Sequence, residues 1–257
     1  MIALSVNLNK IALIRNSRDT TNPSVPGHAS MCIAAGAEGI TVHPRPDQRH
    51  IRAQDCRELA ALLQQHADIE FNIEGNPVTG PRKSDRPGVG DYPGFMALVK
   101  ELRPAQCTLV PDGDNQLTSD HGFDLKRDGD KVAPLVAELQ ALGIRTSLFM
   151  DPDPQQIRLA AQTGTDRIEL YTESYARACE TGSNVEAVFQ QYVEAAQVAT
   201  ECGLGLNAGH DLNLHNLPLF STLPGLLEVS IGHALTVDAI RMGLASTVAA
   251  YQRALGK

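Results

Sequence analysis

The sequence predicts a single-domain α/β protein, a (β/α)8 barrel of eight parallel strands that spans residues 1–257. Short runs rich in β-branched residues recur along the chain, and segments with apolar residues at helical spacing separate them. The chain has no Trp and only 4% aromatic residues, so Ala, Leu, Val and Ile must form the core, as expected for helices packed on a parallel sheet. Eight strand–helix units in about 250 residues are typical of the closed barrel. An open doubly wound sheet is the alternative.

The eight predicted strands are spaced along the whole chain. In order they cover residues 4–9, 39–43, 69–74, 107–111, 145–149, 167–171, 205–208 and 228–231. The clearest helices are predicted at 55–67, 130–143, 153–164 and 184–203, where apolar residues follow the helical period. Residues 75–94 are rich in Gly and Pro and have no apolar period. They predict a loop insertion after the third strand, either a mobile lid over the active-site face or a disordered insertion.

Charge is unevenly distributed along the chain. The formal net charge is −8, which argues against a nucleic-acid partner or an anionic membrane partner. Residues 1–57 nevertheless hold seven of the 22 Lys and Arg but only four of the 30 acidic residues, a net charge of +3 against −11 for the rest. Such a basic segment suits a small anion such as a phosphate ester, and a chance fluctuation of surface charge is the alternative.

The cysteines and the N-terminus indicate a cytoplasmic protein. Five cysteines lie far apart without a C-x-x-C pair, as reduced thiols do. The first residues enter a strand-like run directly, without the pattern of a signal peptide. No apolar run approaches the length of a membrane span, so we expect no membrane partner.

Polar residues stand at the carboxyl end of six predicted strands. In a barrel these ends converge on one face, where active sites lie. The residues in question are Asn7, Asn9 and Lys10, His43, Glu74, Glu169, His210 with Asp211, and Gly232 with His233. Packing alone rarely explains so many polar groups on one face, so we predict a site for a small molecule there.

The histidines and one glutamate suggest acid–base chemistry. His43 and Glu74 end neighbouring strands, where a His–carboxylate pair could relay protons near neutral pH; a buried structural hydrogen bond is the alternative. His210, on the seventh strand, lies across the mouth and could act as an acid on the other side of a substrate. A capping or packing role is equally common for a lone histidine.

Two further strand ends suggest stabilisation of charge. Glu169 lies in an apolar run and could stabilise a cationic intermediate such as an iminium, or it could pair with Arg145 or Arg167. Gly232 and His233 precede a helix, and the backbone N–H groups of such a turn bind phosphate in many barrels.

Metal and nucleotide sites are not predicted. His, Asp and Glu occur at the strand ends, but no H-x-H or H-x-x-x-H pair lies on one element and there is no dense cluster of carboxylates, two patterns that indicate metal sites. The sequence also has no Walker motif and no convincing G-x-G-x-x-G after the first strand. We therefore expect no metal and no cofactor.

Several segments together resemble one enzyme family. VNLNKIALIRNSR (6–18), AGAEGITVHPRPDQRHI (35–51), the FNIE run that ends at Glu74, LVPD (109–112), GIRTSLFMD (143–151), RIELYTESYA (167–176), LNAGHDLN (206–213) and IGHAL (231–235) occur in this order over nearly the whole chain. In this respect the chain is similar to the pyridoxine 5′-phosphate synthases. The resemblance implies condensation of 1-deoxy-D-xylulose 5-phosphate with 3-amino-2-oxopropyl phosphate, without metal or redox cofactor, by a cytoplasmic homo-oligomer, an octamer in the family.

The resemblance also implies a role for each matching residue. His43 and Glu74 would be proton acceptors, His210 the proton donor and Glu169 the stabiliser of the transition state. The aminoketone phosphate would contact Asn7, Arg18, Gly232 and His233. Asp211 would contact a substrate phosphate through its backbone. The sugar phosphate would contact Asn9, Lys10, Arg45, His50 and Thr118.

The chain departs from the family pattern at three places. Many members carry Asp-His where this chain has Asn9-Lys10, and some carry Gly in place of Asp211. The 75–94 loop is longer than in the shortest members. A metal-dependent sugar-phosphate isomerase or aldolase, and a non-catalytic barrel that binds a phosphorylated ligand, are therefore kept as alternatives.

Overall fold

Eight parallel strands close into a barrel in the computed structural model of the protein, which describes residues 1–18, 20–113 and 115–257. Asp19, counted above in the charge of the first 57 residues, lies outside the described residues. The strands are β1 (Ala3–Asn7), β2 (Gly39–Val42), β3 (Glu70–Gly75), β4 (Gln106–Leu109), β5 (Arg145–Met150), β6 (Arg167–Leu170), β7 (Gly205–Gly209) and β8 (Leu226–Ile231). Each pairs with its neighbour in chain order, and β8 pairs with β1 to close the barrel. The predicted single-domain (β/α)8 fold is confirmed.

Helices surround the barrel. Among the described residues they are α1 (Asn9–Asn16), α2 (Val25–Ala34), α3 (Ala53–Leu63), α4 (Phe95–Leu102), α5 (Leu125–Gln140), α6 (Pro154–Gln162), α7 (Glu173–Thr181), α8 (Val185–Glu201), α9 (Leu217–Phe220), α10 (His233–Met242) and α11 (Leu244–Ala254). The caps follow the sequence closely. Asp153, for example, accepts hydrogen bonds from the first N–H groups of α6, and Pro154 opens that helix.

The sequence prediction extends the first strand too far, to residue 9. The strand stops at Asn7, and Asn9 already begins α1. The cause is local, because the Asn7 side-chain Oδ1 accepts a hydrogen bond from the Asn9 backbone N–H at 3.0 Å. This Asx turn diverts the chain from the strand into the helix.

The two faces of the barrel strands differ in character. Side chains such as Leu4, Val6 and Ile40 are fully buried in the hydrophobic core. The other face is polar, as the hydrogen bond between the hydroxyls of Ser5 and Thr41 at 2.7 Å shows. Bulky branched residues fill the interior of most such barrels. Here hydroxyl, amide and carboxyl groups lie there instead, which prepares a polar floor for the site above.

Residues 76–94 form an irregular loop that packs beside the site. Arg82 and Tyr92 pair as an antiparallel bridge, and the Tyr92 side chain, only 1% exposed, donates its hydroxyl to the Pro44 carbonyl. The Gln48 side chain donates to the Gly90 carbonyl at 2.8 Å. None of residues 76–94, all of which the structure describes, lines the cavity introduced next. The loop thus braces the connection between β2 and α3.

Candidate active site

A cavity of about 280 Å³ opens at the carboxyl end of the barrel strands. It is lined by thirteen of the fourteen residues that the sequence singled out, namely Asn7, Asn9, Lys10, His43, Arg45, His50, Glu74, Thr118, Glu169, His210, Asp211, Gly232 and His233. Three other clefts are larger, at about 440, 480 and 580 Å³, but none of them brings together the ends of more than one strand. The central cavity is therefore the candidate active site.

Arg18 is the predicted residue that the structure leaves away from this cavity. It follows the C-terminal end of α1, its side chain is exposed, and it does not line the cavity. Other cations of the basic segment are also used elsewhere, since Arg15 pairs with Asp55 and Arg57 with Glu101.

His43 lies between two carboxyl groups. Its Nδ1 is 3.8 Å from Glu74 Oε2, and its Nε2 is 3.2 Å from Asp112 Oδ2. Its backbone N–H donates to the Asn9 side chain at 2.9 Å. Ring and backbone are thus both held, as proton transfer along a defined direction requires.

Asp112 is a site residue that the sequence analysis missed as such. It follows β4 in the segment Leu-Val-Pro-Asp, and nothing in a single acidic loop residue indicates that it reaches His43. It also binds the Arg45 guanidinium. Arg45 further donates to the carbonyl oxygens of Gly113 and Gln116 at 3.3 and 3.4 Å, so this arginine holds the loop after β4 as well as lining the cavity.

Three glutamates form a buried acidic group beneath the cavity. Burial, together with the charges of Glu169 and Glu228, raises the pKa of Glu74 well above its usual value. Burial and the charge of Glu228 raise the pKa of Glu169 to about 8. Burial and Glu70 raise the pKa of Glu228 to about 7. At neutral pH Glu169 therefore holds a proton, and the raised pKa of Glu74 favours its protonated form; both groups can give a proton to a reaction intermediate.

The predicted alternative of a Glu169–arginine pair is wrong. Arg145 pairs with Glu70, and Arg167 lies 3.3 Å from Glu228. Both arginines therefore form ion pairs with other glutamates of the barrel strands. Among the described residues Glu169 has no cationic partner of its own, and burial dominates its pKa.

The other side of the cavity carries His50 among cations. Burial, then the charges of His43, Arg45 and Lys10, lower the pKa of His50 well below its usual value, so the ring is neutral. Its Nδ1 accepts the Ile51 backbone N–H at 2.9 Å. The proton is thus on Nε2, and His50 and its cationic neighbours provide donors suited to an anion.

His210 stands on the opposite wall. Its Nδ1 is 2.8 Å from Asp211 Oδ2, and its Nε2 is 2.6 Å from the Thr118 hydroxyl. Thr118 belongs to the connection after β4, so this contact crosses the mouth of the cavity. At Gly209, the residue before His210, a Cβ would lie 2.2 Å from the Ser230 carbonyl oxygen, so glycine allows β7 and β8 to pack closely there.

The remaining wall combines a helix N-terminus with a second missed residue. Gly232 precedes α10, and a Cβ on it would meet the Asn7 side chain at 3.0 Å, so glycine lets the start of this helix lie close to Asn7 at the cavity. Ser230 also lines the cavity. Ser230 is 6% exposed, and its Oγ has no hydrogen-bond partner in the described part of the protein. A small hydroxyl in a buried strand gives no signal in the sequence.

Comparison with known proteins decides the family. The family described as "Pyridoxal phosphate biosynthesis protein PdxJ" matches residues 4–257. The chain belongs to this family. The "Pyridoxine 5'-phosphate synthase" of Xanthomonas oryzae pv. oryzae is 53% identical over 251 residues, 97% of this chain and 95% of that protein. The protein of the same name from Albidiferax ferrireducens is 48% identical over 260 residues, 99% and 97% of the two chains. The resemblance noted in the sequence is confirmed.

A solved structure shows the same fold in a distant protein. The 3-hexulose-6-phosphate synthase from Salmonella typhimurium superposes with a TM-score of 0.61 over 99% of this chain and 98% of that one, at 12% identity.

Within the described ranges, no three His, Cys, Asp or Glu side chains are placed to hold a metal ion together. Those ranges likewise contain no helix with the length and apolar character to span a membrane.

Proposed function

We propose that this chain condenses 1-deoxy-D-xylulose 5-phosphate with 3-amino-2-oxopropyl phosphate to form pyridoxine 5′-phosphate, phosphate and water. Family membership supports this function. The observation that carries it is one cavity that the His43–Glu74 pair, His210 and Glu169 line together. Ring closure requires a Schiff base, loss of phosphate and dehydration, which are serial proton transfers that need acids and bases on both sides of a substrate.

We assign the two phosphorylated substrates to opposite walls. The sugar phosphate would lie at Asn9, Lys10, Arg45, His50 and Thr118, where neutral His50 and the cations supply donors. The aminoketone phosphate would lie at Asn7, Asp211 and the Gly232–His233 turn, where the N-terminus of α10 attracts an anion. The carboxylate of Asp211 already binds His210, so only the backbone of Asp211 would face the phosphate.

Glu74 and Glu169 have different parts in this scheme. A protonated Glu74 beside His43 can pass its proton to the ring and take it back, so the pair handles one proton for successive steps. Glu169 has a pKa raised to about 8. An iminium cation formed above it would favour its ionised form, so its negative charge would develop when the cation does.

We further propose that the protein is cytoplasmic and forms a homo-octamer, as the family resemblance implies. Two helices on one side leave apolar side chains exposed, with Ile14 on α1 exposed by 47% and Ile240 on α10 by 77%. Such side chains suit a contact between subunits. Light scattering on the purified protein measures the mass, and a monomeric mass would contradict this assembly.

Incubation of the purified chain with both substrates tests the function. We expect pyridoxine phosphate, measured by its fluorescence, and inorganic phosphate to form in equal amounts. Neither should form with one substrate alone. The activity should survive exhaustive chelation, whereas a metal-dependent isomerase or aldolase would lose it. If both phosphorylated substrates bind in calorimetry but the incubation gives no product, the protein is instead a non-catalytic binding barrel.

A further inference from the structure

Asp112 occupies a position that joins the chemistry of the cavity to its binding wall. The side chain is buried at 5% exposure, at the end of the LVPD segment after β4. One of its oxygens, Oδ2, faces His43 Nε2 at 3.2 Å, the Arg45 guanidinium and the Ser119 hydroxyl at 3.4 Å. We propose that Asp112 is a positioning residue, which fixes the orientation and the protonated nitrogen of the His43 ring for proton transfer. The proposal rests on the function proposed above.

The geometry assigns a different partner to each ring nitrogen. An ionised carboxylate only accepts hydrogen bonds, so the contact at Nε2 places the ring proton on that nitrogen. Nδ1 then keeps its lone pair and faces Glu74 Oε2 at 3.8 Å. The imidazole therefore presents its basic nitrogen to the proton carried by Glu74. Without Asp112 the ring could turn over or protonate on the wrong side.

The charges around the ring support an ionised Asp112. Burial alone would raise its pKa, but a charged His43 ring, the hydrogen bond from that ring and the charge of Arg45 lower it overall, and the last two act when the ring is neutral as well. The other charged or titratable groups around His43 are Glu74 on β3, Lys10 on α1, and Arg45 and His50 on the connection after β2. Asp112 is the acidic group in direct contact with Nε2.

A purely structural role gives a different expectation. If Asp112 only anchored Arg45 and the loop after β4, its loss would weaken binding of the sugar phosphate as loss of Arg45 does, and the chemistry would proceed once substrate was bound. A positioning role instead predicts a loss in kcat at saturating substrate. The split between kcat and KM separates the two roles, because only a positioning role slows the chemistry of bound substrate. The pH–rate profile then shows whether the Asp112 charge acts on the base.

Asp112→Asn tests this in the full-length enzyme, since it keeps the shape and removes the charge. We expect kcat to fall at least tenfold with both KM values within threefold, and the acidic limb of the pH–rate profile to move to lower pH, because a lost negative charge disfavours the protonated base. Asp112→Glu should keep the limb near its original position. Asp55→Asn is the matched control, because Asp55 and Arg15 form a buried pair whose contact with a histidine is to the backbone carbonyl of His50 and not to a ring; it should cost stability and leave the profile in place.

Nitrogen-15 magic-angle-spinning spectra of histidine-labelled protein give a readout that does not need activity. Comparison with His43→Gln identifies the His43 signals, which we expect to show protonated Nε2 and unprotonated Nδ1 in the unmodified protein. A ring protonated at Nδ1 would overturn the proposal whether or not product is formed. Unchanged kcat and an unmoved acidic limb in a folded Asp112→Asn enzyme would overturn it as well. If the unmodified protein forms no product, the proposed function is contradicted, and the nitrogen-15 spectra still test the role of Asp112 in placing the His43 proton.

Discussion

Replacement of Glu169 by Gln should make the protein more resistant to unfolding at alkaline pH. Glu169 is 4% exposed, and its pKa is raised from 4.5 to about 8 by burial and by Glu228. Between these two pH values the folded protein keeps a proton that the unfolded chain has released. The contribution of Glu169 to stability is therefore complete below pH 4.5 and is lost as the pH rises through about 8. Gln has nearly the same shape and no such titration.

The size of the effect follows from the shift. Each unit of separation between the folded and unfolded pKa is worth about 1.4 kcal/mol. Over roughly three pH units within this window, the free energy of unfolding of the unmodified protein should therefore fall by ~3–4 kcal/mol more than that of Glu169→Gln. Urea denaturation at about pH 5 and about pH 8, followed by circular dichroism, measures both values.

Equal pH dependence of the two proteins would refute the buried, protonated state of Glu169. Glu70→Gln provides a control of opposite sign. The charge and hydrogen bond of Arg145 lower the pKa of Glu70 overall, although burial opposes this. That carboxylate therefore stabilises the fold above its unfolded pKa, and stability is lost as the pH falls through the lowered value. The Gln variant should be the less stable protein at neutral pH.

Further substitutions test individual walls of the cavity. Arg45→Ala should weaken binding of the sugar phosphate by ~1–3 kcal/mol in calorimetry, the loss expected for a charged hydrogen bond; an unchanged affinity would remove Arg45 from the binding wall. Ser230→Ala should raise KM for one substrate several-fold, because Ser230 lines the cavity and its buried hydroxyl has no hydrogen-bond partner among the described residues. Ser147→Ala removes another such hydroxyl, from a residue that does not line the cavity, and should leave KM unchanged. Gly209→Ala should lower stability by ~1–3 kcal/mol and reduce kcat, because its methyl group would overlap the Ser230 carbonyl; a melting temperature and kcat equal to those of the unmodified protein would contradict the tight β7–β8 contact.

The strands and most of the site could be predicted because each depends on local sequence. A β-branched run that ends in a polar residue defines a strand and its mouth, which is how His43, Glu74 and His210 were found together. The barrel topology then brings distant strand ends to one face without further information. Asn9 was placed at a strand end rather than in a helix because an Asx turn depends on one side-chain hydrogen bond.

The missed residues depend on contacts between distant segments. Asp112 reaches His43 because β4 follows β3 around the barrel, and no pattern near Asp112 reports that contact. Ser230 looks like an ordinary small residue of a buried strand. Arg18 shares the charge of the basic segment, yet its position is set by the length of α1, which carries it away from the cavity. Charge along the sequence does not specify such positions.

Product formation by His43→Ala is the most direct test of proton transfer at the strand mouth. His43 touches both Glu74 and Asp112, so its removal should interrupt the proton path while the fold and the binding walls stay in place. We expect both phosphorylated substrates to bind in calorimetry and no pyridoxine phosphate to form in a single-turnover assay. Ring closure at nearly the rate of the unmodified enzyme would contradict the account.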